Sequence, residues 1–216
     1  MGDPVRLTDL PLRDLADRLA SHEPVPGGGS AAAIAGAMGA ALVSMVVELS
    51  VGRPEHAAHD AALREIGAGA AERQAVLLDL AEADAAAYQA VVTARRMPKQ
   101  TDPERGARSA ALREAMLEAA RVPLHTATVA SEVLGLAERI APIGNSNAIS
   151  DAGVAAQLAA AAVRGALLNV RINLPYLPED EPLRGSAGDE MRRLDALATA
   201  GEQATLSAVD ARMGPT

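Results

Sequence analysis

Two carboxylates in this chain stand where a proton could be moved. Asp84, Tyr88 and Arg95 recur at i, i+4 and i+11, which puts all three on one face of a helix. That face can line a cleft, or with Glu82 it can be an ordinary solvated surface. Asp151 follows the stretch Gly144-Asn145-Ser146-Asn147-Ala148-Ile149-Ser150. There Asn145, Asn147 and Ser150 can offer amides and a hydroxyl to a bound molecule, or Ser150 and Asp151 can simply cap the helix that begins there. A positioned carboxyl of either kind can act as general acid or base. A third feature is Pro26-Gly27-Gly28-Gly29-Ser30. Glycine permits positive φ and has no Cβ, so N–H groups at a helix start can approach a ligand; equally, bare backbone lets two helices cross tightly. Asn169 and Asn173 lie four apart in an otherwise apolar helix, and buried amides need partners, which a ligand, another chain or a core network can supply.

Several function classes fall away. A Walker loop needs a Lys-Ser/Thr pair after its last glycine and a strand before it, and neither is here. No charge occurs between Glu23 and Glu48, a length that reaches across a bilayer. Most of those residues are Ala and Gly, however, and no cationic flank follows immediately, so no membrane is expected. A net charge of −8 argues against a nucleic-acid partner, whose phosphates call for clustered Lys and Arg. With no Cys there is no disulfide, thiolate metal site or thiol nucleophile. His22, His56, His59 and His125 lack a surrounding set of carboxylates, and no metal site is expected. The N-terminal stretch mixes acids with bases around no long apolar centre, so it does not read as a secretory leader, and a cytoplasmic protein is expected.

The elements that must position these residues read as helices. The 216 residues are 49% hydrophobic but 1% aromatic, with no Phe or Trp and only Tyr88 and Tyr176, so Ala, Leu and Val must build the interior. Alanine is the strongest helix former. Leu12, Leu15 and Leu19 mark a short first helix, and Ser30 is expected to cap a second running to about Ser50. In that helix Ile34, Met38, Leu42, Met45 and Leu49 form one stripe, with Gly36, Gly39, Ala40 and Val43 elsewhere on its surface. A long helix is expected from Pro54 to Met97, kinked or split at Gly67-Ala68-Gly69. Thr101 or Asp102 caps the next, with Pro103 in its first turn and Pro123 bending it. Helices over about Ser150–Arg171 and Ala187–Met213 follow, separated by a proline-rich stretch from Pro175 to Pro182. No strand pattern or repeat is found. The expectation is one all-α domain over residues 1–216, an antiparallel bundle of long helices.

Five segments occur in order: Pro26-Gly27-Gly28-Gly29-Ser30; Ala94-Arg95-Arg96-Met97-Pro98-Lys99 with Thr101 and Arg108; Val122-Pro123-Leu124; Gly144-Asn145-Ser146-Asn147-Ala148-Ile149-Ser150-Asp151; and Asn169-Val170-Arg171-Ile172-Asn173. Together they resemble the formiminotetrahydrofolate cyclodeaminase and methenyltetrahydrofolate cyclohydrolase family, over most of the chain. The resemblance implies a helical homodimer, or a higher assembly, acting on a tetrahydrofolate that carries a one-carbon unit, with no metal or other cofactor. It implies either closure of 5-formiminotetrahydrofolate to the 5,10-methenyl form with loss of ammonia, the expected activity, or the water-driven opening of the methenyl bridge as the alternative. A non-catalytic helical scaffold is the third reading.

Under that resemblance Asp151 is the first catalytic candidate and Asp84 the second. Substrate binding falls to Gly27, Gly28, Gly29, Ser30, Asn145, Asn147, Ser150, Asn169 and Asn173. Arg95 and Lys99, with Arg96 and Arg108, suit the glutamate carboxylates of folate, unless they pair with Glu104 and Glu114. Met38, Met97 and Tyr88 are the surfaces on which a pterin can lie. A second subunit can complete the pocket, which would account for the small-residue helix over Ala31–Val47 as packing between chains.

Overall fold

A computed structural model describes residues 6–214; the first five residues of the N-terminal stretch read above lie outside them. No strand occurs among the described residues, and six α-helices carry the fold. They are α1 (Leu12–Leu19), α2 (Gly28–Glu48), α3 (Asp60–Arg96), α4 (Asp102–Ile140), α5 (Ile149–Asn173) and α6 (Pro182–Met213). From α2 to α6 each long helix runs antiparallel to the next. Gly67 of α3 sits against Val47 of α2, Gly69 against Leu136 of α4, and Gly153 of α5 against Leu206 and Val209 of α6. α2 also packs antiparallel on α5, so α2, α3, α4 and α5 enclose one core and α6 covers the side formed by α4 and α5.

Of the large stripe on α2 only Ile34 and Leu42 pack, half-buried, against that core. Met38 and Met45 are 45% and 38% exposed, while Ala33, Gly36, Ala37, Gly39, Ala40 and Val43 are buried. The reason is steric: a Cβ at Gly39 would lie 3.0 Å from the Ala155 carbonyl oxygen of α5, and one at Gly36 would lie 3.1 Å from Leu77 and 3.3 Å from Ala162. Helices stripped to Ala and Gly approach more closely than large side chains permit, and close approach maximises dispersion contact.

Several boundaries move. α2 starts two residues before Ser30, with Gly27 at its N-cap. Residues Pro54–His59 form a 3₁₀ turn, after which α3 runs unbroken through Gly67 and Gly69, because surrounding helices support the backbone there. α4 opens with the Thr101–Glu104 capping box and carries the buried Pro123 within it. α6 begins at Pro182, five residues before the expected start, since proline is at ease in a first turn. By length and composition α2 and the segment Ser146–Tyr176 could each cross a membrane, but 56% of each window is buried inside the bundle.

Candidate functional site

The chain enters α2 through Pro24 and Val25, and at this end of the bundle a cleft of about 330 Å³ opens between α2, α3, α4 and the end of α5. Gly27, Gly28 and Gly29 form one wall, Asp84, Tyr88 and Arg95 of α3 another, and Asn169, Asn173 and Tyr176 a third. None of these glycines has positive φ. What matters is the missing Cβ: a methyl at Gly29 would sit 2.5 Å from the Asp84 carboxyl carbon. The carboxylate thus rests on the bare first turn of α2, where exposed N–H groups favour negative charge.

Ser30 does not cap α2. Its buried hydroxyl lies 2.9 Å from Asp84 Oδ2 and 3.0 Å from the Ala81 carbonyl oxygen. Burial pushes the Asp84 carboxyl above its ordinary value, and the hydroxyl and backbone N–H of Ser30 only partly oppose this. The hydroxyl has one proton for two acceptors. In the protonated state Asp84 can itself donate to Ser30 Oγ, leaving the Ser30 proton for Ala81, so the neutral acid satisfies every partner. A carboxyl poised in this way can both take and return a proton.

The asparagines are anchored from behind. Asn169 Nδ2 donates to the Gly165 carbonyl and Asn173 Nδ2 to the Ala119 carbonyl, at 2.9 and 2.7 Å. These bonds hold each side-chain amide in place at the cleft. At the far end of the α3 face Arg95 reaches the wall, with Arg96, Lys99 and Arg108 near the turn that follows. None of the four lies within ion-pair distance of a carboxylate among the described residues. Pairing with Glu104 is replaced by the capping box, in which Glu104 accepts from the backbone of Gln100 and Thr101. Lys99 itself does not line the cleft.

Asp151, Ser150, Asn145 and Asn147 lie elsewhere. Eighteen residues of α5 separate Asp151 from Asn169, about 27 Å of helix, so a single chain does not bring the two expected carboxylates together. Asn145 binds the other end of α2, its N–H donating to Ser50 Oγ and its Nδ2 to the Leu49 carbonyl. Arg212 of α6 holds the same loop by donating to the carbonyls of Ala141 and Gly144 and to Ser146. The capping alternative fails as well: Ala148 is the N-cap of α5, and no side chain caps it. Met38 and Met97 line other grooves, and the methionine in the cleft is Met116. The residue that sequence reasoning missed is Tyr176, three residues after Asn173 and one of only two aromatics in the chain.

The fold and cleft define a class: an all-helical bundle with a partly buried acid held against the open first turn of one helix, beside two anchored amides. A family model for formiminotransferase-cyclodeaminase matches residues 11–193. The chain belongs to that family. It is 44% identical over 181 residues to the methenyltetrahydrofolate cyclohydrolase of Methylorubrum extorquens, covering 84% of this chain and 85% of that protein. It is 36% identical over 179 residues to the formimidoyltransferase-cyclodeaminase of Mus musculus, of which it spans 33%. Its fold is similar to the crystal structure of formiminotetrahydrofolate cyclodeaminase from Thermotoga maritima, with TM-score 0.85 and 27% identity over 97% of this chain and 100% of that one.

Proposed function

We propose that the chain is a one-carbon tetrahydrofolate enzyme that opens the 5,10-methenyl bridge with water, a cyclohydrolase. The observation that carries the proposal is the Asp84 carboxyl on the first turn of α2, raised by burial and facing a cleft with anchored amides. The methenyl carbon is an electrophilic amidinium. Asp84 takes a proton from the attacking water as the C–O bond forms, then gives it to N5 as the C–N5 bond breaks, yielding the N10-formyl product and one proton to solvent. A carboxylate beside this carbon also stabilises its positive charge. Neither the oxidation state of the carbon nor that of any other atom changes, so the reaction calls for no redox group. Identity of 44% across most of a free-standing cyclohydrolase supports hydrolysis. Closure of the formimino substrate with loss of ammonia is the second reading, supported by the likeness to the Thermotoga cyclodeaminase. It uses the same proton shuttle on N10 and the departing amine.

The reading includes a homodimer. Met38, Met45 and Leu49 of α2 and Val154, Leu168 and Ile172 of α5 are exposed along two adjacent helices, from the cleft at one end to the Asn145–Asp151 loop at the other. A two-fold axis across the middle of that face swaps its ends, bringing the loop of one copy to the cleft of the other. The Ser150 and Asp151 side chains make no hydrogen bond among the described residues, which leaves them free for that role. The test is to mix purified protein with methenyltetrahydrofolate or 5-formiminotetrahydrofolate and follow the methenyl absorbance. Its loss with the first substrate supports hydrolysis, and its rise with the second supports ring closure. No change with either overturns the enzymatic reading and favours a scaffold.

A further inference from the structure

The only two aromatic side chains in the chain, Tyr88 and Tyr176, line the same cleft. Both are exposed, at 43% and 60%, in a molecule whose core is built without a single aromatic ring. A tyrosine placed for core packing would be buried; these two present their rings to the cavity instead. The wall that α3 contributes has a direction, and Tyr176 faces it from the turn after α5. Asp84, Tyr88 and Arg95 line one wall in that order, so along the helix axis the Tyr88 Cα follows that of Asp84 by about 6 Å and the Arg95 Cα by about 16 Å. Arginine side chains reach back several ångströms, and Arg95 has no carboxylate partner among the described residues. A tetrahydrofolate presents its groups in the matching order: a cationic one-carbon bridge at N5 and N10, then the flat aminobenzoyl ring on N10, then the glutamate carboxylates.

Resting on the reading above, we propose that Tyr88 and Tyr176 hold the aminobenzoyl ring of the substrate, with the glutamate directed to Arg95 and the pteridine toward the glycine wall. The cleft then measures its substrate from the reacting carbon outward, and the tyrosines set affinity without touching that carbon. Offset or edge-on ring contacts of this kind are favourable and tolerant of ring identity.

The chain offers its own reporter. With no Trp and two Tyr, its tyrosine emission comes wholly from this cleft. The probe is p-aminobenzoylglutamate, which carries the ring and the carboxylates but no pteridine, titrated by calorimetry and by tyrosine emission. Binding to the wild type with a change in emission is expected. Tyr88→Leu and Tyr176→Leu should each weaken it about ten-fold, as loss of one ring-stacking partner does. Tyr88→Phe and Tyr176→Phe should restore it. Arg95→Met should weaken p-aminobenzoylglutamate but leave the uncharged p-aminobenzamide unchanged. In turnover the leucine variants should raise KM and leave kcat near wild type. Unchanged probe affinity and KM in both leucine variants, with urea midpoints near wild type, would overturn the platform while leaving the enzyme standing. Absent turnover of either folate by the wild type, with the probe still bound through both tyrosines, would overturn the function and leave the platform.

Discussion

Gly29→Ala is the sharpest perturbation the cleft offers, because its neighbour Gly28→Ala is the matching control. A Cβ at position 29 would stand 2.5 Å from the Asp84 carboxyl carbon, whereas one at position 28 meets only the Asn169 amide, Nδ2 at 3.6 Å and Oδ1 at 3.9 Å, both ordinary contacts. Carbon atoms settle at about 3.5–4.0 Å, so the carboxyl must retreat by about 1 Å. Overpacking costs about 1–3 kcal/mol, and the disturbed Ser30 hydrogen bond adds about 1 kcal/mol. Against this, alanine in place of glycine returns up to about 1 kcal/mol of helix propensity, and a carboxylate that moves toward water recovers part of its burial penalty. The net loss is about 1–2 kcal/mol, small beside the 5–15 kcal/mol or so of an ordinary domain, so the variant folds. Turnover responds differently, because a displacement of about 1 Å at a reacting group can lower the rate about 100-fold. The assay is methenyl absorbance in parallel with urea denaturation. Gly29→Ala should lose about two orders of magnitude in kcat with a modest fall in urea midpoint, whereas Gly28→Ala, whose added methyl meets the bound pteridine and not the acid, should raise KM and keep kcat and urea midpoint near wild type. Equal kcat in the two variants would refute the placement of the reacting carboxyl against the first turn of α2.

Other outcomes follow from the same geometry. Asp84→Asn should lower turnover by about 100-fold or more by removing the proton carrier. It should also flatten the dependence of stability on pH. In the wild type the folded state keeps the Asp84 proton at pH values where the unfolded chain has released it, so stability falls as pH rises from near the ordinary value of 3.8 through the raised folded value. Urea midpoints across that range check the sign. If two copies share each site, Asp151→Asn should lose turnover despite its distance from the cleft. Equal mixing of Asp84→Asn and Asp151→Asn chains, with subunit exchange, should then restore up to about a quarter of wild-type activity, since half the dimers regain one intact site of two. No recovery after demonstrated exchange would sink the shared site. Met38→Glu with Met45→Glu, on the exposed face of α2, should yield monomers by analytical ultracentrifugation while the helical circular dichroism persists.

The helical bundle was legible because alanine content, capping residues and prolines act locally. Thr101 with Glu104 marks the start of α4 whatever packs against it, and missing aromatics already require close helix crossings. Asp84, Tyr88 and Arg95 could be grouped in advance because 3.6 residues per turn fixes their common face. The glycine wall and the asparagine pair were legible as candidates, yet nothing local says that they meet. That meeting depends on α2 lying antiparallel to both α3 and α5, which stacks residues 29, 84 and 169 at one end of the bundle. The same antiparallel order carries Asp151 to the opposite end, although the sequence made it the first catalytic candidate, ahead of Asp84. It also turns Met38, Met45 and Leu49 of the α2 stripe outward, because the close approach of Gly36 and Gly39 decides which face the core accepts. The residues thus determined which helices form and which side chains share a face, through steric and hydrogen-bond preferences that reach one or two turns. Only the tertiary structure decided which faces meet, since that depends on how closely whole helices can pack.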